Sequence, residues 1–179
     1  MASSWKHIEA RWPGKVGGCE VSFAALKRDM ESLLAGLGIV PRAFSHFGIV
    51  VSDIEKAMTA MVRIAGSRLD EVRKDWVQAF AVYVARGHLE GTELEFVQPA
   101  GASFFADHLA AEGEGLHHLS FRVDGIGLCA EILEASEAVR TDHPIRDGSH
   151  GRILFVEPKA FQPLFLELCE PRAEGTGGG

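Results

Sequence analysis

The sequence predicts an α+β protein in which one βαβββ module occurs twice, and three observations carry that reading. His46 and Glu95 are 49 residues apart, as are His118 and Glu167, and the second pair follows the first by 72 residues. The surroundings repeat at the same offset. HFGIVVSDI at 46–54 matches HLSFRVDGI at 118–126, with Val51 on Val123 and Ile54 on Ile126; LEFVQP at 94–99 matches LELCEP at 166–171, with Pro99 on Pro171. Each copy also reads as a strand, a helix and then further strands. Agreement at two separate places with one offset marks a duplicated unit, and two copies are too few for a solenoid.

Residues 1–43 lie outside the repeat and form a helical arm. From Ser22, the residues Phe23, Leu26, Met30, Leu33, Leu34 and Leu37 recur at helical spacing, with Gly36 and Gly38 as stops. The arm is expected to pack on the domain or on a second subunit rather than carry chemistry. Module one, 44–99, opens with a strand from Phe44 to Val51. Ser52 then caps a helix, with Glu55 three residues on, an apolar face of Ile54, Ala57, Met58, Met61 and Ala65, and Gly66 as terminator. A short strand between Arg68 and Val72, a strand from Trp76 to Ala85 and another from Thr92 to Val97 complete it, closed by Pro99.

Residues 100–114 hold a linker helix from Ser103 to Ala111, broken by Gly113 and Gly115. Module two, 115–171, repeats the scheme: a strand from Leu116 to Val123, a helix entered at Asp124, a short strand near Val139 to Thr141, and strands from Arg152 to Val156 and Leu164 to Cys169. Gly148, Ser149 and Gly151 make the loop before Arg152 a tight or mobile one. The tail, 172–179, is small and polar and is expected to be disordered.

A length of 179 residues suits one domain with a substantial core, and 46% hydrophobic with 24% charged residues is the balance of a soluble globular protein. A net charge of −7 argues against nucleic acid or an anionic membrane as partner, since both need a basic surface. No apolar run approaches 18 residues, and Lys6, Glu9, Arg11, Lys15 and Glu20 interrupt any signal-peptide pattern, so a cytoplasmic location is expected. Cys19, Cys129 and Cys169 are odd in number and widely spaced; they fit neither a disulfide framework nor a CxxC zinc site and read as reduced packing residues.

Strand side chains alternate faces, which places the repeated residues. His46 shares a face with Phe44, Gly48 and Val50, opposite Phe47, Ile49 and Val51. His118 shares one with Ser120 and Arg122, opposite His117, Leu119, Phe121 and Val123; His117 is therefore expected to pack or to lie at the surface, away from His118. Glu167, between Leu166 and Leu168, and Glu95, between Leu94 and Phe96, sit in strands that should be buried. An isolated buried carboxylate costs several kcal/mol and needs a cation or strong donors. A lone strand histidine is more often a core or surface residue than a ligand, but the joint repetition points to one divalent metal ion held by His46, Glu95, His118 and Glu167.

These motifs resemble the vicinal oxygen chelate (glyoxalase/bleomycin resistance/dioxygenase) superfamily. Within it, GEGLHHLSFRVDGI (113–126), HGRILFVEPK (150–159) and LFLELCEP (164–171), with SHFGIVVSDIEKAM (45–58) and TELEFVQP (92–99), are most similar to methylmalonyl-CoA epimerase. The resemblance covers 44–171. It implies paired βαβββ modules forming a curved, cup-shaped mixed sheet with helices outside, and a divalent-metal-dependent epimerase or isomerase that removes a proton α to a thioester carbonyl. The metal would stabilise the enediolate charge and Glu167 would be one base. The small-molecule substrate could be an acyl-CoA thioester, and the family resemblance together with the amphipathic arm suggests a homodimer. Cobalt, manganese, nickel, zinc and iron all accept such a ligand set.

The sequence departs from the pattern at one place. Counting back from Glu95 without gaps, the position where an epimerase can carry its second glutamate is Gln78, which cannot abstract a proton; His150 or Glu71 are alternative bases. Gln78, Arg122 and His150 are the candidates to line the substrate pocket. Arg63, Lys74, Arg152 and Lys159 could hold CoA phosphates or be ordinary solvated charges. A glyoxalase I-like lyase suits the two-His, two-Glu set equally well, and a non-catalytic antibiotic-binding protein of the same fold is the alternative from a different class. A ring-cleaving dioxygenase fits less well, because a fourth protein ligand takes a position oxygen needs.

Overall fold

The computed structural model describes residues 23–65, 75–89, 91–141, 143–148 and 151–172. The arm before Phe23, Gly66, the expected strand between Arg68 and Val72, and the tail from Ala173 lie outside the described residues. Among the described residues, four helices and nine strands are arranged as α1 (Phe23–Gly36), β1 (Ala43–Val50), α2 (Ile54–Ala65), β2 (Asp75–Val77), β3 (Val82–Leu89), β4 (Thr92–Pro99), α3 (Phe104–Glu112), β5 (Gly115–Arg122), α4 (Ile126–Glu134), β6 (Val139–Arg140), β7 (Arg146–Asp147), β8 (Gly151–Pro158) and β9 (Phe165–Pro171). The strands form one mixed, curled half-barrel in the order β2-β3-β4-β1-β5-β9-β8-β6, with β7 also on β8.

The repeat is visible in the pairing. β1 and β5 meet antiparallel at the centre, β4 runs parallel to β1, and β9 runs parallel to β5. β3 and β8 then close each side antiparallel. The two modules also cap their helices alike: the amide of Ile54 donates to Gln98 Oε1 at 3.1 Å and that of Ile126 to Glu170 Oε1 at 3.3 Å, from residues 72 apart. Satisfying an orphan helix amide from the module's own last strand ties helix to sheet.

Several elements differ from the sequence expectation. The cap of α2 is Asp53, whose Oδ1 accepts from the Lys56 amide at 3.1 Å, because Ser52 is drawn off to Glu114. The stretch Trp76 to Ala85 is not one strand. It breaks at a 3₁₀ turn over Gln78–Phe80, ended by Ala81 at φ 50, a left-handed conformation that no strand contains. Ser103 caps α3 as expected, accepting from the Ala106 amide at 3.3 Å.

Two apolar layers flank the sheet. On the convex side, Leu26, Met30 and Leu34 of α1 pack with Ile54 and Met58 of α2, with Ile126 and Leu133 of α4, and with Leu119, Phe121, Leu166 and Leu168 of the central strands. Met30 and Leu34 are fully buried, so α1 is part of the core. The concave side holds Val50, Val82, Val84, Val97, Phe155 and Phe165, and the linker helix α3 sends Phe105 into this layer. Helices α1, α2 and α4 thus lie outside the cup, while α3 seals part of its floor.

Candidate metal centre

The first strand of each module is bulged at the residue before its histidine. Between β1 and β5 the register runs Phe44↔Phe121 and then His46↔Ser120, skipping Ser45; it runs Gly48↔His118 and then Ile49↔Leu116, skipping His117. Ser45 and His117 are themselves 72 residues apart. An extra residue in one strand puts two consecutive side chains on one side, so alternation fails at both places. Phe44 turns to the convex side and meets Phe47 and Phe121 with ring centroids 4.7 and 5.4 Å away. His117 does not point away from His118: both rings pack against Phe105 and Phe155 of the concave layer.

The four repeated residues converge on this concave face. One donor atom from each of His46, Glu95, His118 and Glu167 lies within 4.8 Å of every other, and all four residues are buried. His46 Nε2 is 3.3 Å from His118 Nε2, 3.6 Å from Glu95 Oε2 and 3.7 Å from Glu167 Oε1; His118 Nε2 is 3.8 Å from a carboxylate oxygen of each glutamate. Donors placed about 2.0–2.2 Å from a common ion stand roughly 3–3.5 Å apart, so the set fits a divalent cation with a small inward adjustment. Nitrogen and carboxylate donors together suit a borderline transition metal.

Electrostatics make the same demand. Burial, followed by the nearby Glu95 carboxylate, pushes the Glu167 carboxyl up to about 8, against the opposing hydrogen bond from Ser120 Oγ at 2.6 Å. Burial, followed by His46, pushes the His118 imidazole down to about 3. A neutral His118 imidazole beside crowded carboxylates is ready to accept a cation.

The carboxylates occupy equivalent places but have different neighbours. Arg86 on β3 is the register partner of Glu95, and its guanidinium bonds Glu95 Oε1 while its Nε lies 3.2 Å from Glu93 Oε1. At the matching place beside Glu167 stands Phe155 on β8. Glu95 is therefore held by a cation, and Glu167 by an apolar ring and one hydroxyl. The sheet is also asymmetric at Gly48, the repeat partner of Ser120: a Cβ at Gly48 would overlap the His118 ring. Only glycine leaves that ring its place.

His46, Glu95 and Glu167 lie at the wall of a cavity of about 390 Å³ lined also by Ser45, Val77, Val84, Arg86, Phe105 and Arg122, with His118 buried behind them, a volume suited to a small organic molecule. Arg122 is exposed at the rim of this cavity. Gln78 is not there. It is exposed in the 3₁₀ turn and faces a neighbouring cleft with Trp76, Asp147 and Arg172, because Ala81 turns the chain before β3 begins. His150, Glu71, Lys74 and the Arg63 side chain lie outside the described residues, while Arg152 is paired with Glu170 and Lys159 is exposed. The sequence reading missed Arg86, Gly48 and Phe155. A hairpin turning at Gly91 would have set Arg86 opposite Glu95, and the repeat already aligned Gly48 with Ser120.

A family model, Glyoxalase/Bleomycin resistance protein/Dioxygenase superfamily, matches residues 45–155. The chain is 29% identical over 132 residues to the uncharacterized protein YqjC of Bacillus subtilis, covering 72% of this chain and 92% of that one. It is 25% identical over 130 residues to mitochondrial methylmalonyl-CoA epimerase of Mus musculus, covering 69% and 70% of the two. Among solved structures, a variant methylmalonyl-CoA epimerase of Streptomyces coelicolor in complex with 2-nitronate-propionyl-CoA aligns with TM-score 0.61 and 25% identity over 74% of this chain and 99% of that one.

Proposed function

The chain belongs to the Glyoxalase/Bleomycin resistance protein/Dioxygenase superfamily, and on that premise we propose that it is a divalent-metal-dependent epimerase acting α to the carbonyl of a small acyl-CoA thioester. The observation that carries this reading is the pairing of four buried donors with an open cavity beside Glu167. The similarity to epimerases, one of them bound to a propionyl-CoA analogue, supports the substrate class.

His46, Glu95, His118 and Glu167 would hold a divalent ion, which would supply positive charge to offset negative charge developing on substrate oxygens. Glu167 is the base. Phe155 is its register partner on β8, and the Ser120 hydroxyl donates to its Oε1 at 2.6 Å, which holds the carboxylate in place at the cavity wall. Arg86 bonds one oxygen of Glu95, leaving the other to face the histidines. Phe105 and Phe155 exclude water from the inner wall.

One observation favours a second reading, a glyoxalase I-like lyase or isomerase in which a single base removes and returns the proton. Gln78 lies outside the cavity, and Glu93, the remaining carboxylate at its wall, is engaged by Arg86. Incubation of the metal-loaded protein with 2-methylmalonyl-CoA in deuterated water separates the two. Metal-dependent exchange of the α-proton with inversion supports the epimerase. Exchange without inversion, together with turnover of a glutathione hemithioacetal, supports the single-base reading. No exchange with any of cobalt, manganese, nickel, zinc or iron eliminates the proposed substrate, and Glu167→Gln should abolish whichever exchange occurs.

A further inference from the structure

We propose that His117 is a positioning residue for His118, accepting the Nδ1 proton of that ring and so aiming its Nε2 lone pair at the metal centre. The inference rests on the metal reading above. His117 Nδ1 lies 3.0 Å from His118 Nδ1, a hydrogen-bond separation in which one nitrogen must donate and the other accept. Because His118 Nε2 is the atom that faces His46 and both glutamates, a neutral His118 acting as ligand carries its proton on Nδ1. His117 Nδ1 is then the acceptor, and its own proton sits on Nε2.

That second nitrogen is the independent sign. His117 is fully buried, and its Nε2 has no hydrogen-bond partner among the described residues. The ring is held instead by stacking, 4.7 Å from Phe165 at an interplanar angle of 8° and 4.5 Å from Phe105 at 30°. A buried N–H left unpaired costs about 1–3 kcal/mol, which a phenylalanine in the same box would avoid. The imidazole is explained if Nδ1 has a task. Module one performs the same task at the same bulge, where Ser45 Oγ lies 3.1 Å from His46 Nδ1. Without the bulges neither partner would reach its ligand ring, since alternating side chains point apart.

His117→Phe keeps the aromatic packing and removes the acceptor, whereas His117→Asn gives up the packing and keeps an acceptor oxygen near the Nδ1 position. Cobalt(II) is titrated into the metal-free wild type and both variants, with dissociation constants from chelator competition and the visible d–d spectrum recorded. The expected result is affinity weakened about 10–100-fold and an altered spectrum in His117→Phe, with most of both recovered in His117→Asn. Wild-type affinity in His117→Phe, or no recovery in a folded His117→Asn, overturns the proposal. If wild type binds no cobalt, the metal reading fails and takes this one with it. Should the variants not fold, the imidazole nitrogen resonances of the zinc-loaded wild type decide: a bare Nδ1 and protonated Nε2 on His117 support the assignment, and the reverse overturns it.

Discussion

Raising the pH of the metal-free protein from 6.5 to 8 should destabilise it by about 2 kcal/mol, and Glu167→Gln should remove that loss. The carboxyl of Glu167 goes from an ordinary 4.5 when unfolded to about 8 when folded, so between those values the native state binds a proton that the unfolded chain releases. Stability then falls as pH rises, by about 1.4 kcal/mol per unit. Buried His118 acts in the opposite sense: its folded value near 3 lies below the ordinary 6.5, so its contribution rises with pH up to 6.5 and is flat beyond. The two oppose each other from 4.5 to 6.5, and the Glu167 slope stands alone from 6.5 to about 8. Urea midpoints of chelator-treated protein at pH 5.5, 6.5, 7.25 and 8 give the profile. Saturating zinc should flatten it in wild type, because the ion replaces the proton on the carboxylate pair. A metal-free wild type whose stability is level or climbing from 6.5 to 8, or a Glu167→Gln variant with the same downward slope, would refute the placement of Glu167 in an unneutralised apolar setting.

Gly48→Ala should weaken cobalt binding more than about 10-fold and cost about 1–3 kcal/mol, because the new methyl and the His118 ring claim the same space; unchanged affinity by chelator competition would contradict the ring position. Arg86→Met should cost the metal-free protein about 3 kcal/mol in urea unfolding, since it strands the buried Glu95, and less once zinc is bound. Met30→Ala should cost about 2–5 kcal/mol through the cavity left under α1 while leaving metal affinity unchanged, which separates the helix's packing role from the site.

What could be read from the sequence is what a fixed period preserves. The four donor residues, β1 with β5, β4 with β9, and the convex faces of α1, α2 and α4 all follow from a 72-residue offset or from helical spacing. The two bulges could not be read, because alternation assumes an unbroken strand and nothing in SHF or HHL announces an extra residue. Hence Phe44 and His117 lie on the faces opposite to those that alternation predicts, while His46 and His118 both reach the concave face. The break between β2 and β3 escaped for a related reason: Trp76 to Ala85 is rich in strand formers, and the turn rests on Ala81 adopting a left-handed conformation that alanine seldom signals. The offset itself is not constant. β1 maps onto β5 at 72, but β3 maps onto β8 at 69, the difference being taken up in the longer connection before β9, so repeat alignment alone does not pair Arg86 with Phe155.

That mismatched pair gives the cup a direction. A duplicated module with two matching histidines and two matching glutamates would greet a chelating molecule identically after a half-turn, and such a molecule could enter either way round. With a guanidinium on one flank and a benzene ring on the other, the half-turn exchanges a cationic wall for a greasy one. A ligand with one anionic and one apolar end then has a single favourable heading. Duplication supplied the symmetry of the four donors; divergence at one strand position on each side gives their surroundings a handedness that the repeat alone would lack.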